Sequence, residues 1–293
     1  MRRVLVTGSA GVIGRAVAPA LAALGFEVAS FDRATSTADD LGDAARVRAA
    51  VAGCRGVVHL AACSRVEAAE RRPDDADRDN VRATAALIAA IAARPDPPWI
   101  VFASSREVHG DARSLPVDED TPIAPRNVYG RTKRDAEAMV EAARARGLAA
   151  CVLRLTNVFG APCDHHDRLV PAFFAAARAG APLVVRGAAR SVDLVHLDDA
   201  VDGLARAAAR LDAGARGIAP VLIASGVETT LGALAALVIA AARSTSAIVE
   251  DAAGSHEVAR FVGRPARAAE VLGWRPRVGL GEGLSRLART PAR

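Results

Sequence analysis

Short apolar segments alternate with amphipathic segments through the first half of the chain, and this alternation limits the folds open to it. Strands that are apolar on both faces and separated by helices form a parallel sheet through right-handed crossovers. Read for periodicity, the strands are Arg3–Thr7, Glu27–Phe31, Gly56–Leu60, Trp99–Ala103 and Ala149–Leu155, and the helices are Val12–Leu24, Ala44–Ala52, Asp75–Ala93 and Val128–Arg146. We therefore predict an α/β fold built on a doubly wound parallel sheet.

The alternation loosens after about Asn157. Residues 191–210 predict a strand and a helix that return to the α/β layer. The rest of the second half predicts a smaller, helix-rich unit. The expected organisation is a first domain over residues 1–157, rejoined by 191–210, and a C-terminal substrate-binding domain made mainly of residues 158–293.

Composition excludes several classes of protein. The chain has 293 residues, of which 51% are hydrophobic and 24% charged, as in ordinary globular proteins. Its longest apolar run, Ala233–Ala242, is well below the roughly 20 residues of a membrane span, and Met1-Arg2-Arg3 leads directly into a strand rather than a signal peptide. The four cysteines form no Cys-x-x-Cys motif. We expect a cytoplasmic protein with neither a zinc site nor a disulfide framework.

The net charge of +5 does not indicate nucleic-acid binding. Basic residues are interspersed with acidic ones, and only 3% of the chain is aromatic. Single-strand binders need aromatic stacking platforms, and groove binders need a basic stripe. We expect no nucleic-acid partner.

The segment Thr7–Gly14, with the sequence TGSAGVIG, follows the first strand and opens the first helix. Glycines at such a turn let the backbone approach a pyrophosphate, whose charge the helix N-terminus favours. Asp32 stands at the end of the second strand, where a carboxylate accepts hydrogen bonds from an adenosine ribose and repels a 2′-phosphate. The pattern predicts a Rossmann dinucleotide site that prefers NAD, while Arg33 beside Asp32 leaves NADP open.

The chain contains one tyrosine and one lysine, Tyr129 and Lys133, and the other basic residues among its 38 are arginines. Four residues apart on a helix, the two side chains lie on one face. A neighbouring ammonium favours the phenolate, which then accepts a proton from a substrate hydroxyl while hydride leaves for the cofactor. Ser104 and Ser105 end the fourth strand, so a serine hydroxyl is expected to bind the reacting oxygen.

Together these motifs resemble the extended short-chain dehydrogenase/reductases of the NAD-dependent epimerase/dehydratase family, over essentially the whole chain. The matching segments are 7–14, 57–62, Asn80-Val81, 104–110, 129–133, 153–160, 196–199 and 272–276. The resemblance implies transient oxidation of a sugar hydroxyl, usually at C4, in a nucleotide-sugar substrate. Epimerisation, loss of water or loss of a carboxylate then follows in different members.

The resemblance also implies roles for individual residues. Ser105, Tyr129 and Lys133 form the catalytic set, and Lys133 also holds the nicotinamide ribose. The residues implied for NAD are Gly8, Ala10, Gly11, Val12, Ile13, Gly14, Asp32, Arg33, Asp40, Leu41, Leu60, Ala61, Ala62, Asn80, Ala103, Tyr129 and Lys133. Those implied for the substrate are Ser105, Glu107, Asn157, Arg168 and Arg190. A homodimer through the helices around 75–93 and 128–146 is also implied.

The chain departs from the family pattern after Ser105. His109 replaces the usual tyrosine of Val-Tyr-Gly, which we interpret as a packing substitution. Arg106 and Glu107 stand where dehydratases carry Asp-Glu. Glu107 is either a base toward C5 of a keto-sugar or a solvated loop acid, whereas Arg106 cannot supply the proton of the missing aspartate. This departure argues against 4,6-dehydration.

Val192 occupies the position before Asp193 where relatives carry an arginine, and the later pyrophosphate arginine is not evident in residues 251–260. A diphosphate needs charge-assisted partners, and the sequence leaves Arg168, Arg186, Arg190 and Arg260 as candidates. The run Asp164-His165-His166-Asp167 has the composition of a metal site, but adjacent residues do not all converge on one ion. We expect no metal.

The leading hypothesis is an NAD-dependent nucleotide-sugar epimerase acting at C4. The alternatives are a decarboxylase, dehydratase or keto-sugar reductase of the same family, a net oxidoreductase on a non-nucleotide substrate, and a dinucleotide-sensing regulator. Retention of the single Tyr and single Lys at catalytic spacing argues against the regulator.

Overall fold

A parallel sheet of six strands lies at the centre of this computed structural model, which describes residues 2–162, 164–251 and 255–290. The strands are β1 (Arg3–Thr7), β2 (Glu27–Phe31), β3 (Gly56–His59), β4 (Trp99–Ser105), β5 (Ala150–Leu155) and β9 (Val221–Ile223). They lie in the order β2-β1-β3-β4-β5-β9, so the order reverses beside β1. Ligands bind at such reversals, beyond the carboxyl ends of the strands.

Helices cover both faces of this sheet, as the alternation predicts. The helices are α1 (Val12–Ala23), α2 (Ala44–Val51), α3 (Val66–Arg71), α4 (Pro73–Ala76), α5 (Ala83–Ala92), α6 (Val128–Ala145), α7 (Leu169–Arg178), α8 (Leu197–Asp212), α9 (Leu231–Ala242), α10 (Ala266–Leu272) and α11 (Leu280–Arg289). Helices α1, α8 and α10 bury their apolar sides on one face, and α2, α5 and α6 on the other. The doubly wound sheet is thereby confirmed.

The single helix predicted over Asp75–Ala93 is interrupted. It consists of α4, a π-helical segment over Asp77–Arg82, and α5. Apolar periodicity cannot reveal this local change of hydrogen bonding, because the helical face stays continuous. Such π segments are frequent at functional sites, and this one contains the buried Asn80.

Two smaller sheets and three helices form the second part of the molecule. Strands β6 (Asn157–Phe159), β8 (Ser191–His196) and β10 (Glu228–Thr230) make one sheet, and β7 (Leu183–Arg186) pairs with β11 (Ile248–Asp251). Helices α7, α9 and α11 enclose their apolar cluster.

Two sequence expectations about this part need correction. The strand β8, expected in the large sheet, pairs instead with β6 and β10, although the following helix α8 does pack on the large sheet. The sixth strand of the large sheet is β9, from the region assigned to the second domain. Apolar composition identifies a strand but not the sheet that it joins. The expected domain limits stay a prediction.

Surface features bear on two further expectations. In the described part of the chain, no helix is both long and apolar enough to cross a membrane. The exposed large apolar side chains are Leu24, Ile123, Val184, Val227, Leu237, Ile248 and Val249. None of them lies in the two helical regions through which dimerisation was expected. They therefore give no support to that interface, and the homodimer stays a prediction.

Trp274 packs the C-terminal segment against the apolar cluster of the large sheet. Its ring is fully buried beside α8, and its Nε1 donates to the Asp199 carbonyl oxygen at 2.9 Å. The Asp199 carboxylate accepts from the backbone N–H groups of Arg277 and Val278 at 3.0 and 2.9 Å. Side chain and backbone therefore hold the same stretch of chain.

We predict that Trp274→Ala lowers the free energy of unfolding by about 3–5 kcal/mol, because it empties a buried aromatic site. Leu237→Ala is the control, since Leu237 is 42% exposed on α9 and is expected to change stability little. Urea denaturation of both variants measures the difference. Equal stabilities would contradict the anchoring role of Trp274.

Candidate active site

The glycine-rich turn after β1 packs closely against the end of β3. Gly8 has a φ of +70°, and a Cβ on it would lie 2.6 Å from the Ala61 nitrogen. A Cβ on Gly14 would lie 2.2 Å from the Gly8 carbonyl oxygen. Neighbouring backbone therefore leaves no room for a side chain at either position. Glycine at both allows the turn to pack against the edge of the sheet.

The N-terminus of α1 has the properties of a phosphate site. Its N-cap is Gly11, which provides no side-chain cap, and the first turn contains no acidic residue. The Ser9 hydroxyl in the same turn is buried with no hydrogen-bond partner among the described residues. Backbone N–H groups left without a cap, at the positive end of the helix dipole, fit the pyrophosphate of a dinucleotide.

Asp32 lies beside this turn, at the end of β2. Its Oδ2 accepts from the Ala10 N–H at 2.9 Å, and its Oδ1 accepts from the Ala34 N–H at 2.8 Å. Arg33, the residue that left NADP open, donates to Asp79 at 3.0 Å. A fixed carboxylate with its neighbouring guanidinium paired elsewhere fits the ribose hydroxyls of NAD better than a 2′-phosphate.

A cleft of about 970 Å³ runs from the glycine-rich turn to the second part of the molecule. It gathers most of the predicted site residues: Gly8, Gly11, Val12, Ile13, Gly14, Asp32, Arg33, Asp40, Leu41, Leu60, Ala61, Ala62, Ala103, Ser105, Glu107, Tyr129, Lys133, Asn157, Arg168 and Arg190. Ala10 and Asn80 are not among the residues that line it.

Asn80 lies behind the wall of this cleft, only 2% exposed. Its Oδ1 accepts from the Cys63 N–H at 2.7 Å, and its Nδ2 donates to the Cys63 carbonyl and to Thr132 Oγ1 at 3.1 and 2.8 Å. The residue therefore joins the loop after β3 to α6, and supports the lining of the cleft rather than forming it.

Helix α6 brings Tyr129 and Lys133 to the cleft. Asn127 caps the helix by accepting from the Gly130 N–H at 2.7 Å. Tyr129 and Lys133 are 9% and 4% exposed. Lys133 Nζ donates to the carbonyl oxygen of Ala103 on β4 at 2.8 Å. The helix is thus tied to the strand that ends in Ser105, which brings all three predicted catalytic residues together.

Burial controls the protonation of this group. It raises the pKa of Tyr129 to about 12, an effect that the nearby Glu107 charge reinforces and a hydrogen bond with Ser105 opposes. Burial also lowers the pKa of Lys133 to about 8, against the attraction of Glu137. The expected lowering of the Tyr129 pKa by Lys133 is not found in the chain alone: burial sets the direction of the shift, and the main charges that act on the phenol are those of Glu107, which raises the pKa, and Arg168, which lowers it. A base at Tyr129 requires further positive charge nearby.

Glu107 is not the solvated loop acid that was one interpretation of it. It is 3% exposed, its Oε1 lies 2.8 Å from Arg106 Nη2, and its Oε2 accepts from Asn127 Nδ2 at 2.5 Å. Asn127, which sequence reasoning missed, thus serves as both helix cap and partner of Glu107. Its place directly before the predicted helix was the available signal.

His109 lies beneath the site and is 1% exposed. Its Nδ1 donates to the Thr121 carbonyl at 3.1 Å, which leaves Nε2 as the acceptor for Arg154 Nη1 at 3.3 Å. Burial, followed by the charge of Arg154, lowers the pKa of His109 to about 4. His109 is therefore a neutral packing residue.

Three of the residues predicted to bind substrate line the cleft with polar side chains: Asn157, Arg168 and Arg190. The Asn157 Oδ1 atom is buried and has no hydrogen-bond partner among the described residues. Arg168 lies 3.3 Å from the Ser64 hydroxyl and 3.4 Å from Asp164. Arg190 donates to the carbonyl oxygens of Glu257 and Val258 at 2.9 and 3.2 Å. These groups are available to a polar, anionic ligand.

Two of the positions considered for a diphosphate do not face this cleft. Val192 is 4% exposed within the apolar cluster of the second part. Arg260 lies outside the cleft lining and pairs with Glu228 at 2.8 Å. Of the candidate arginines, Arg168, Arg186 and Arg190 line the cleft.

The run Asp164–Asp167 is engaged in ion pairs. Asp167 accepts from Arg65 Nη1 at 2.5 Å, and Asp164 lies 3.4 Å from Arg168. Across residues 2–162, 164–251 and 255–290, no three His, Cys, Asp or Glu side chains converge on a possible metal position. Cys163, one of the four cysteines, lies outside the described residues.

Comparison with known families agrees with this geometry. Residues 4–221 match the model of the NAD dependent epimerase/dehydratase family. The chain belongs to this family. NAD is accordingly its cofactor, and the turn, helix terminus and carboxylate described above have the chemistry that NAD needs.

Several relatives are similar to this epimerase/dehydratase family member in sequence or fold. A UDP-glucose 4-epimerase of Corynebacterium glutamicum is 35% identical over 172 residues, which cover 54% of this chain and 52% of that protein. The chain thus spans about half the length of the first curated relatives that it matches. The solved structure of MoeE5 with UDP-glucose and NAD has a TM-score of 0.89 at 28% identity, covering 98% of this chain and 97% of that one.

A dehydratase is similar to almost the same degree. The double mutant of DesIV, a dTDP-glucose 4,6-dehydratase of Streptomyces venezuelae solved with NAD, has a TM-score of 0.86 at 27% identity and covers 98% of this chain and 96% of that one. Overall similarity therefore establishes the family and its fold, while the choice of reaction depends on individual residues.

We predict that Asp32→Asn weakens NAD binding about tenfold or more and narrows the preference for NAD over NADP, because it removes a charged hydrogen-bond acceptor. Asp74→Asn, at an exposed residue on α4, is the matched control. Calorimetric titration with both dinucleotides measures the effect. Unchanged affinity for NAD in the Asp32 variant would refute the assigned ribose contact.

We further predict that the phenol of Tyr129 stays almost fully protonated at pH 10 in protein freed of NAD. An unperturbed tyrosine is about half ionised there, whereas burial raises the pKa of Tyr129 to about 12. Because the chain has a single tyrosine, ¹³C-labelled tyrosine gives one resonance to titrate. Half ionisation at pH 10 would show that burial does not control this group.

Proposed function

We propose that the protein is an NAD-dependent epimerase that inverts C4 of a nucleotide-linked hexose through a 4-keto intermediate. The observation that supports this most directly is the meeting of Ser105, Tyr129 and Lys133 in the same cleft as the glycine-rich turn and Asp32. One continuous site then holds both the dinucleotide and the hydroxyl to be oxidised.

In this proposal, Tyr129 accepts the proton of the C4 hydroxyl and Ser105 hydrogen-bonds the same oxygen. Bound NAD supplies the hydride acceptor and, on the return step, the hydride donor. Because burial favours the neutral phenol, Tyr129 acts as a base only with positive charge close by. Lys133 is the buried ammonium on the same helix face and supplies part of that charge.

Epimerisation is favoured over dehydration by the two residues after Ser105. Loss of water across C5 and C6 needs one group to remove the C5 proton and another to protonate the leaving hydroxyl. Arg106 does not supply that proton, and the carboxylate of Glu107 is held by Arg106 and Asn127. The Glu107 carboxylate is therefore engaged on both oxygens, and a guanidinium at position 106 is not the acid that the elimination needs.

The proposed substrate class rests on three arginines that line the cleft. Arg168, Arg186 and Arg190 line it, and the buried Asn157 Oδ1 offers an acceptor to a sugar hydroxyl. Guanidinium groups are well suited to a diphosphate. MoeE5, which has the same fold, was solved with UDP-glucose and with UDP-glucuronic acid. A nucleoside diphosphate hexose is therefore the substrate class that we propose.

A second candidate is a net oxidoreductase on a smaller alcohol or ketone. It is favoured by Val192, a buried apolar side chain at the position where the family resemblance implies an arginine. The same catalytic residues would serve it, but the cofactor would have to exchange in each cycle. Stoichiometric formation of reduced nicotinamide would support this candidate.

The nicotinamide content of the purified protein after denaturation distinguishes the two. An epimerase regenerates NAD in each cycle and gains by retaining it, so we expect near-stoichiometric NAD and conversion of UDP-glucose without added cofactor. Protein free of NAD that converts sugars only when cofactor is supplied in stoichiometric amounts would overturn the proposal.

We predict that Tyr129→Phe retains NAD but loses about 10²–10⁴-fold in turnover, because only the phenolic oxygen that moves the proton is removed. Arg131→Gln, an exposed change two residues away on the same helix, is the control and is expected to stay active. Conversion of UDP-glucose to UDP-galactose is followed by NMR. Undiminished turnover in the phenylalanine variant would eliminate the mechanism.

A further inference from the structure

A buried ion pair, Glu137 with Arg154, lies one helical turn from Lys133 along α6. Glu137 and Arg154 are each 3% exposed. Arg154 donates to Glu137 Oε1 from Nη2 at 2.5 Å and from Nε at 3.1 Å. Ser104, the residue before the catalytic serine, donates its hydroxyl to Glu137 Oε2 at 2.8 Å. The carboxylate is therefore held from two adjacent strands, β4 and β5.

Glu137 also lies one helical turn after Lys133 on α6, so the two side chains share a face. Both are attached to neighbouring residues of β4, since Lys133 Nζ donates to the Ala103 carbonyl at 2.8 Å and Glu137 accepts from Ser104. Helix and strand together fix an anion behind the ammonium group. Because both side chains are buried, that attraction is far less screened than at a surface.

We propose that Glu137 is a positioning residue for the reaction: held by Arg154 and Ser104, its carboxylate keeps Lys133 charged and in place beside Tyr129. This inference rests on the proposed function, in which the Lys133 ammonium assists Tyr129. Burial alone would favour the neutral amine. A buried lysine that stays charged therefore needs a nearby anion from the protein itself.

The other groups around Lys133 do not replace this anion. Burial keeps His59 neutral and lowers its pKa to about 3, and burial raises the pKa of the Cys63 thiol. Phe102 presents its ring to Nζ at 4.9 Å from the centroid. Glu107 is paired with Arg106, and Tyr129 is a neutral phenol. Of the described groups that face Lys133, Glu137 is the one that opposes burial most strongly.

Arg154 limits the strength of this effect without abolishing it. Arg154 belongs to β5 whereas Glu137 belongs to α6, and the guanidinium also donates to the Glu119 carbonyl at 3.0 Å and to His109. The carboxylate is thus the member of the pair that shares the helix of Lys133. Removing both members should lower the affinity of Lys133 for its proton, as should removing Glu137 alone.

The test uses the single lysine of the chain. Protein grown with ¹³Cε-labelled lysine gives one side-chain resonance, and its titration reports Lys133 directly, with no substrate or turnover needed. We expect the midpoint to fall by about one pH unit in Glu137→Gln. Glu141→Gln is the matched control, because Glu141 lies one turn further along α6 and pairs with Arg144 at 2.7 Å.

Glu137→Gln leaves Arg154 unpaired in the interior, so the double variant Glu137→Gln with Arg154→Leu is titrated as well. Replacement of a whole buried pair is tolerated far better than loss of one partner. The proposal predicts a lowered midpoint in the double variant too. A midpoint equal to that of the wild type in a folded single or double variant would overturn it and leave the pair a purely structural one.

Activity gives an independent readout. The loss of kcat at high pH should begin about one unit lower in the Glu137 variants, and substrate KM should change little, because Glu137 does not line the cleft. A uniform loss of kcat at all pH values, with an unchanged lysine titration, would contradict the proposal. If the lysine titration shifts but no nucleotide sugar is epimerised, the proposed function fails and the electrostatic role of Glu137 stands.

Discussion

The packing of α6 on β4 is the contact on which the proposed chemistry of this protein depends. Lys133 donates to a carbonyl oxygen of β4, and Glu137, one turn later, accepts from the next residue of that strand. Together the two contacts fix the position of the helix along the strand and its rotation about its own axis. Tyr129, one turn before the lysine on the same helix, is thereby placed within hydrogen-bond reach of Ser105. The proposed catalytic group is therefore a consequence of how one helix packs on one strand, and the pairing of β4 with β5 supplies the arginine that completes the contact.

The other half of the site is built from backbone. Gly8 and Gly14 allow the turn after β1 to pack on the end of β3 and on itself, with no room for a side chain. The uncapped end of α1 and the carboxylate of Asp32 are then presented at the edge where the strand order reverses. Because both halves stand at the carboxyl ends of parallel strands of one sheet, the positions proposed for the cofactor and for the reacting hydroxyl adjoin each other.

Much of this could be predicted from the sequence, for identifiable reasons. The turn, Asp32 and the Tyr129–Lys133 spacing are local patterns whose chemistry depends on few neighbours, and the cleft gathers them as expected. The sheet to which β8 and β9 belong could not be predicted, because strand partners are set by distant packing. The protonation of Tyr129 was misjudged because burial, which is invisible in a sequence, is the largest influence on the pKa of its phenol.

The reaction itself is tested most directly by following a deuterium label from C4 of UDP-glucose. If hydride leaves C4 and returns to it on the opposite face, UDP-galactose should carry the deuterium at C4, with no net reduced nicotinamide released. Deuterium found in released reduced nicotinamide would show a net oxidoreductase instead. Deuterium at C6, together with loss of water, would show a dehydratase. Either result would contradict the account in which Tyr129, Ser105 and Lys133 act in both directions on a single bound sugar.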